Sequence, residues 1–197
     1  MRKKDDTLRD TLLELARAAA ESQGPDAINI RTIAKQAGVA TGTVYNYFAN
    51  KDDLLLALTE DCWRRALAEL ETAIPPGRFP ARLAAVFTFL QKQLDAPGGR
   101  LMNHLGGAET AGMARMADAQ RRLADILLRM LEEDREISPG VWDRVVTPEN
   151  LVRLLMLNLT ALLRTREPSP DLLAAVTERI LYEKKLPPPA GGAAPMD

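Results

Sequence analysis

Residues 29–54 read NIRTIAKQAGVATGTVYNYFANKDDL, and the order of caps, apolar positions and glycine in this run decides the fold. Asn29 is placed to cap a helix whose Ile30, Ile33, Ala34 and Ala37 recur at the spacing of one buried face. Gly38 then supplies the positive φ that ends a helix and turns the chain. Val39 packs down, Thr41 begins a second helix, and Val44 and Phe48 face inward four residues apart. That leaves Thr41, Thr43, Tyr45, Asn46 and Tyr47 on the flanks and outer face. Hydroxyls, an amide and phenol rings are groups that hydrogen-bond base edges and phosphates in a major groove. Gly42 leaves room for the backbone to come close to DNA. Asn50 caps the next helix with Asp53 three residues on, and Lys51 in the first turn is placed to meet a phosphate. The run is a helix-turn-helix whose second helix has the make-up of a DNA reader.

The same residues resemble the DNA-binding region of the TetR family of bacterial transcriptional regulators. The family pattern is met by Arg31 in the first short helix, by Ala37-Gly38-Val39 at the turn, by Tyr45-Asn46-Tyr47-Phe48 in the reader, and by Asn50-Lys51-Asp52-Asp53-Leu54 at the next helix start. The resemblance covers about the first quarter of the chain and is specific in its ordered spacings. It implies that Arg31, Thr41, Gly42, Thr43, Tyr45, Asn46, Tyr47 and Lys51 touch DNA. Two departures stand out. Ala40 replaces a frequent capping Ser, which weakens the cap, and Asn46 replaces a frequent His, which alters base reading.

Composition sets the class. The 197 residues are 46% hydrophobic and 27% charged, ordinary for a globular fold. The single cysteine rules out an intramolecular disulfide. MRKKDDTLRD is charged with no apolar run behind it, so no secretory leader is expected, and Leu151–Leu163 is too short to span a membrane. A cytoplasmic protein without membrane contact follows as the expectation. Net charge is −1 overall, yet residues 1–51 hold eight basic and six acidic side chains. Phosphate affinity must therefore come from local placement of Arg2, Lys3, Lys4, Arg31 and Lys51. For Arg2-Lys3-Lys4 two readings stand, a solvated terminus and a phosphate-contacting arm.

Everything else reads as helix, so the fold class is all-α: a DNA-binding domain over 1–50, a helical effector and dimerisation domain over 51–186, and a disordered tail over 187–197. Leu8, Leu12, Leu15, Ala16 and Ala19 form one face of a first helix. A long fourth helix runs from Asn50 to about Ala73 with Leu54, Leu58, Cys62, Ala66 and Leu70 inward. A fifth starts near Pro80 and buries Leu83, Val86, Phe87, Leu90 and Leu94. A short helix is expected around Arg100 to Leu105, then a long one from about Glu109 to Glu133. Thr147-Pro148-Glu149 and Ser169-Pro170-Asp171 each place a hydroxyl, a proline and an acid at a helix start. The first of these two helices is apolar around most of its circumference and must be covered on two sides, while Leu172, Leu173, Val176, Ile180 and Leu181 give the second a stripe. A homodimer joined through a four-helix bundle is the expected answer, as the family resemblance also implies, against a monomer with a deep core.

The resemblance further implies a small-molecule pocket among the middle helices. Candidate liners are Phe87, Phe89, Leu90, Met102, His104, Met113, Met116 and Trp142, each of which also reads as plain core. Together they suit an apolar or aromatic ligand. Cys62 is inward, and the lone His104 supports neither a metal cluster nor a nucleophile with its base, so neither cofactor nor metal is expected. Gly98-Gly99 and Gly106-Gly107 read as helix breaks at a pocket rim. The expectation is a repressor released from an inverted-repeat operator by its ligand. The alternatives are the same DNA-binding module controlled by a protein partner, which calls for a filled domain without a cavity, and an enzyme on a helical scaffold.

Overall fold

The computed structural model describes residues 6–96 and 110–182, and no strand occurs among them. Eight α-helices follow in order: α1 (Asp6–Gln23), α2 (Ile30–Gln36), α3 (Thr41–Tyr45), α4 (Lys51–Ala73), α5 (Phe79–Asp95), α6 (Thr110–Glu133), α7 (Pro148–Thr165) and α8 (Asp171–Tyr182). Short 3-10 turns at Pro25–Ala27 and Pro139–Val141 link α1 to α2 and α6 to α7. The expected arm at Arg2-Lys3-Lys4, the short helix around Arg100 to Leu105, the glycine pairs and the tail lie outside the described residues.

Local signals set the N-terminal helices. The Asn29 side chain accepts from the backbone N–H of Arg31 at 2.9 Å and of Thr32 at 3.4 Å, Gly38 takes φ 68°, and Ala40 starts α3 without a side-chain cap. At α4 the cap is reciprocal: Asn50 Oδ1 accepts from Asp53 N–H at 2.8 Å, and Asp53 Oδ2 accepts from Ala49 N–H at 3.0 Å.

Two apolar cores lie along the chain, and α4 belongs to both. Its Leu54 and Leu58 join Leu12, Leu13, Ala16, Ile33, Val44 and Phe48 in the first core. Farther along, Leu67 and Leu70 join Phe79, Leu83, Phe87, Leu127, Leu155 and Leu181 in the second. The face of α1 differs from the expected one: Leu13 and Ala20 are buried with Leu12 and Ala16, whereas Leu8, Leu15 and Ala19 pack at the edge. The cause is that α1 is wedged between α2 and α4, which turns its buried stripe. Cys62 likewise sits at the edge of the first core, not within it.

One polar knot fastens the second core. The backbone N–H of Phe79, at the start of α5, donates to Asp134 Oδ2 at 2.7 Å and to the Tyr182 hydroxyl oxygen at 3.1 Å, and that hydroxyl donates to Asp134. The Arg78 guanidinium lies 3.6 Å from the Tyr182 ring centroid and pairs with Glu178 at 2.6 Å. Burial works against the Asp134 charge, but the hydrogen bonds from Tyr182, Phe79 and Glu136 hold its pKa below the ordinary value; burial and the Asp134 bond push Tyr182 upward.

Helix α7 begins at Pro148, where the Thr-Pro signal places it, and α8 begins at Asp171, one residue after the Pro170 of its Ser-Pro signal. Thr147 Oγ1 accepts from Asn150 N–H at 3.2 Å, and Pro170 O accepts the bond from Ala174 N–H at 2.9 Å. Their apolar residues split between two faces. Leu151, Val152, Leu155, Leu159 and Leu181 are buried, but Leu154 is 47% exposed, Leu157 67%, Leu172 80% and Val176 40%. The single stripe expected on α8 is thereby corrected. Leu181 and Thr177 face the core, while Leu172 and Val176 face outward because α8 packs on α5 and the Pro139–Val141 turn from one side.

Candidate DNA-reading surface and effector cavity

The candidate reading surface grows from two buried anchors. Val44 and Phe48 are buried in the first core, so the α3 residues between and beside them must point elsewhere. Tyr45 is 51% exposed, Asn46, Gly42 and Arg31 are exposed, and Thr41, Thr43 and Tyr47 are half-buried. A Cβ added at Gly42 would meet no atom within 4 Å, which leaves this stretch of backbone open to an approaching duplex. Arg9 of α1 lies 5.9 Å from the Phe48 ring centroid and backs the reader from behind.

Lys51 has a second attachment that its sequence position did not signal. Its Nζ donates to the Asp26 carbonyl at 2.8 Å, across 25 residues, and so ties the Pro25–Ala27 turn to the start of α4. An ammonium carries three N–H donors, so this bond leaves donors over for a phosphate.

The second site is a half-enclosed cavity of about 510 Å³ between α4, α5, α6 and α7, within the range of small-molecule pockets. Its floor is formed by Leu67, Leu90, Leu123 and Leu159, all buried. Trp63, Leu94, Met156 and Leu163 make half-buried walls. Among the described residues the exposed lining is polar: Gln120, Thr160, Arg164 and Arg166. The cavity thus runs from a hydrocarbon floor to a cationic mouth.

Of the ligand-contact candidates from the sequence, the structure brings Leu90 to this cavity. Phe87 is buried in the second core, and Phe89 and Trp142 pack against that core; none of the three is among the described cavity residues. Met102 and His104 lie outside the described residues, as do the side chains of Met113 and Met116. The α7 contribution was missed because its apolar circumference was divided between core and partner. The pair Arg164-x-Arg166 at the end of an apolar helix was the available signal.

Between the two sites a charge cluster joins α1 to α4. Asp61, 8% exposed, accepts from Arg65 Nε at 2.8 Å, pairs with Arg64, and lies 3.6 Å from Arg17. Glu14 pairs with Arg17 at 2.5 Å and with Arg65. Burial opposes the Asp61 charge, yet the hydrogen bonds and charges of Arg64 and Arg65 bring its pKa below the ordinary value. Beside it, burial pushes the Cys62 thiol up to about 11, which favours its protonated form at neutral pH. Among the described residues no group of three or more His, Cys, Asp or Glu side chains could hold a metal, and no helix is long and apolar enough to cross a membrane.

Comparison with known proteins agrees with this geometry. Residues 12–58 match the bacterial regulatory proteins, tetR family. A stretch of 69 residues is 36% identical to the fatty acid metabolism regulator protein of Bacillus subtilis (strain 168), over 34% of this chain and 36% of that protein; the match thus spans about a third of that relative. Among solved structures, the fatty acid degradation regulator FadR from Bacillus halodurans superposes with TM-score 0.55 at 20% identity, covering 90% of this chain and 100% of that one. FadR from Bacillus subtilis, crystallised in complex with stearoyl-CoA, gives 0.58 at 21% identity over 88% and 97%. Reduced NemR from E. coli gives 0.56 at 18% identity over 91% and 100%. At these identities the structural likeness is one of fold.

Proposed function

We propose that this chain, whose residues 12–58 match the tetR family of bacterial regulatory proteins, is a transcriptional repressor that binds an inverted-repeat operator as a homodimer and leaves it when a small apolar ligand fills the cavity. That match supports a DNA-binding regulator over an enzyme. The reader is α3, flanked by Arg31 and Lys51, with Thr41, Gly42, Thr43, Tyr45, Asn46 and Tyr47 as the groups that meet DNA. A two-fold dimer sets two such helices about 34–36 Å apart, in successive major grooves. The outward Leu154 and Leu157 of α7 and Leu172 and Val176 of α8 are the natural seam, because large apolar side chains left this exposed are suited to cover by a second copy.

The observation that carries the ligand is the cavity of about 510 Å³. A protein-controlled domain would be expected to fill that space, so the void favours a small molecule over the protein-partner alternative. The names of the relatives favour a fatty acyl chain as its apolar part. An inducer acts only through its different affinity for the DNA-bound and free states.

The test is selection of genomic fragments on the purified protein, footprinting of the retained site, and titration with stearoyl-CoA. Protection of an inverted repeat that fades as stearoyl-CoA is added is the expected result. Failure to retain any fragment would overturn the DNA reading, and protection indifferent to acyl ligands would overturn ligand control of that class.

A further inference from the structure

The polarity gradient of the cavity says more about its occupant than its volume does. Four buried leucines close one side, and the exposed lining carries two guanidiniums, Arg164 near the end of α7 and Arg166 at its cap. Arg164 has no carboxylate partner among the described residues. Arg166 pairs with Asp95, the last residue of α5, and it alone among the described non-glycine residues holds a left-handed backbone, at φ 59° and ψ 36°. That conformation is strained for a residue with a Cβ. The cap bonds from Arg166 N–H to Leu163 O and from Glu167 N–H to Leu162 O, with the Gln91 side chain on Glu167 O at 3.0 Å, hold the turn there. The second arginine is thereby set at the mouth by backbone geometry.

From this we infer that the effector is a single-chain amphiphile with an anionic head, that Arg164 and Arg166 read the head, and that Asp95 occupies Arg166 until the ligand arrives. The inference rests on the proposed function for the existence of a ligand and adds its charge and its recognition residues. Burying an anionic head beside an apolar floor without partners would be costly, and two arginines provide the charge-assisted hydrogen bonds that offset the cost. Cations at a helix C-terminus also complement the helix dipole, a purely structural role. It would make no distinction between a charged and a neutral ligand of the same chain length, and the experiment turns on that difference.

The shared chemistry has two sources, a free fatty acid and an acyl thioester of coenzyme A. Laurate, lauroyl-CoA and dodecanol are titrated separately below their micelle thresholds, with binding read from tryptophan emission because Trp63 stands on the cavity wall. At least one charged probe should bind about tenfold or more tighter than dodecanol. Preference for laurate alone identifies the free acid, and preference for lauroyl-CoA alone the thioester. Arg164→Gln and Arg166→Gln should remove most of that preference while leaving the dodecanol affinity and the oligomeric state unchanged. Asp95→Asn should strengthen the charged probe, and should do so only while Arg166 is present: the gain disappears in the Arg166→Gln background if Asp95 competes for that guanidinium and persists if Asp95 acts by charge alone. Equal affinity for dodecanol and both charged probes, equal weakening of all probes by the arginine variants, or no binding of any probe would overturn the inference. Operator retention is measured separately, so loss of DNA binding with charge-selective ligand binding intact counts against the repressor reading only.

Discussion

Replacing Asp61 with Asn should loosen the joint between α1 and α4 by an amount the structure bounds. The carboxylate is 8% exposed and faces three guanidiniums, whose side chains are 19% exposed for Arg17, 58% for Arg64 and 45% for Arg65. Breaking a fully buried pair costs about 3–5 kcal/mol, whereas exposed pairs are worth about 0–1 kcal/mol. With one partner mostly buried and two half in solvent, the expected loss is about 1–3 kcal/mol. Asn keeps the shape and one acceptor oxygen, so the change isolates the charge. For a chain of this size the shift in Tm is about 2–4 °C per kcal/mol, measured by calorimetry at one protein concentration because dimerisation also raises apparent stability.

The pH dependence gives the same prediction a sign. In the folded chain the Asp61 pKa lies below its ordinary value of 3.8, so its contribution is fully present above that value and is lost as pH falls through the folded one. The gap between wild type and Asp61→Asn should hold from about pH 7 to about pH 5 and close in stronger acid. Glu14→Gln, at a side chain 50% exposed, should cost less than about 1 kcal/mol. A gap near zero at neutral pH, or one that widens in acid, would refute the view that this cluster clamps α1 to α4.

Tyr45 and Lys51 separate DNA contact from folding. Tyr45→Ala removes an exposed phenol and should weaken operator binding by about 1–3 kcal/mol with Tm unchanged, whereas Lys51→Ala should lower both operator affinity and stability, the latter by about 1 kcal/mol for the bond to Asp26 O. Fluorescence anisotropy across salt concentrations checks the phosphate role, since losing one contact lowers the salt slope by about 1; an unchanged slope would leave Lys51 only its tie to the Pro25–Ala27 turn. Tyr182→Phe removes the hydroxyl shared by Asp134 and Phe79 N–H and should cost about 1–2 kcal/mol without altering operator affinity. Because the folded Tyr182 pKa is raised, that loss should be constant up to about pH 10 and shrink only as pH rises through the folded value; chemical denaturation at pH 7 and pH 10 compares the two.

What the sequence discloses depends on the range of the interaction that decides each feature. Asn29, Gly38 and Asn50 act on backbone within a few residues of themselves, so the helix-turn-helix was legible down to its caps. The face of α1 was read less well, because Leu13 and Leu15 are equally apolar and only the wedge between α2 and α4 chooses Leu13 for the core. The cavity lay beyond such reading for the same reason. Phe87 and Met156 both sit at helical spacing on apolar helices, and only the crossing of four helices sends Phe87 into packed core and Met156 to the edge of a void. The route from that void to the reader is nonetheless written in one uninterrupted segment. Helix α4 starts at Lys51 beside the candidate DNA-reading surface, is clamped to α1 through Asp61, and lines the cavity with Trp63 and Leu67. At about 1.5 Å per residue, Trp63 stands about 18 Å along this helix from Lys51. A ligand that favours a displaced α4 wall must therefore move the Lys51 end or break the Asp61 clamp. Under the proposed function, Asp61→Asn should then lower the ligand concentration that empties the operator, because one of the two opposing terms has been weakened in advance.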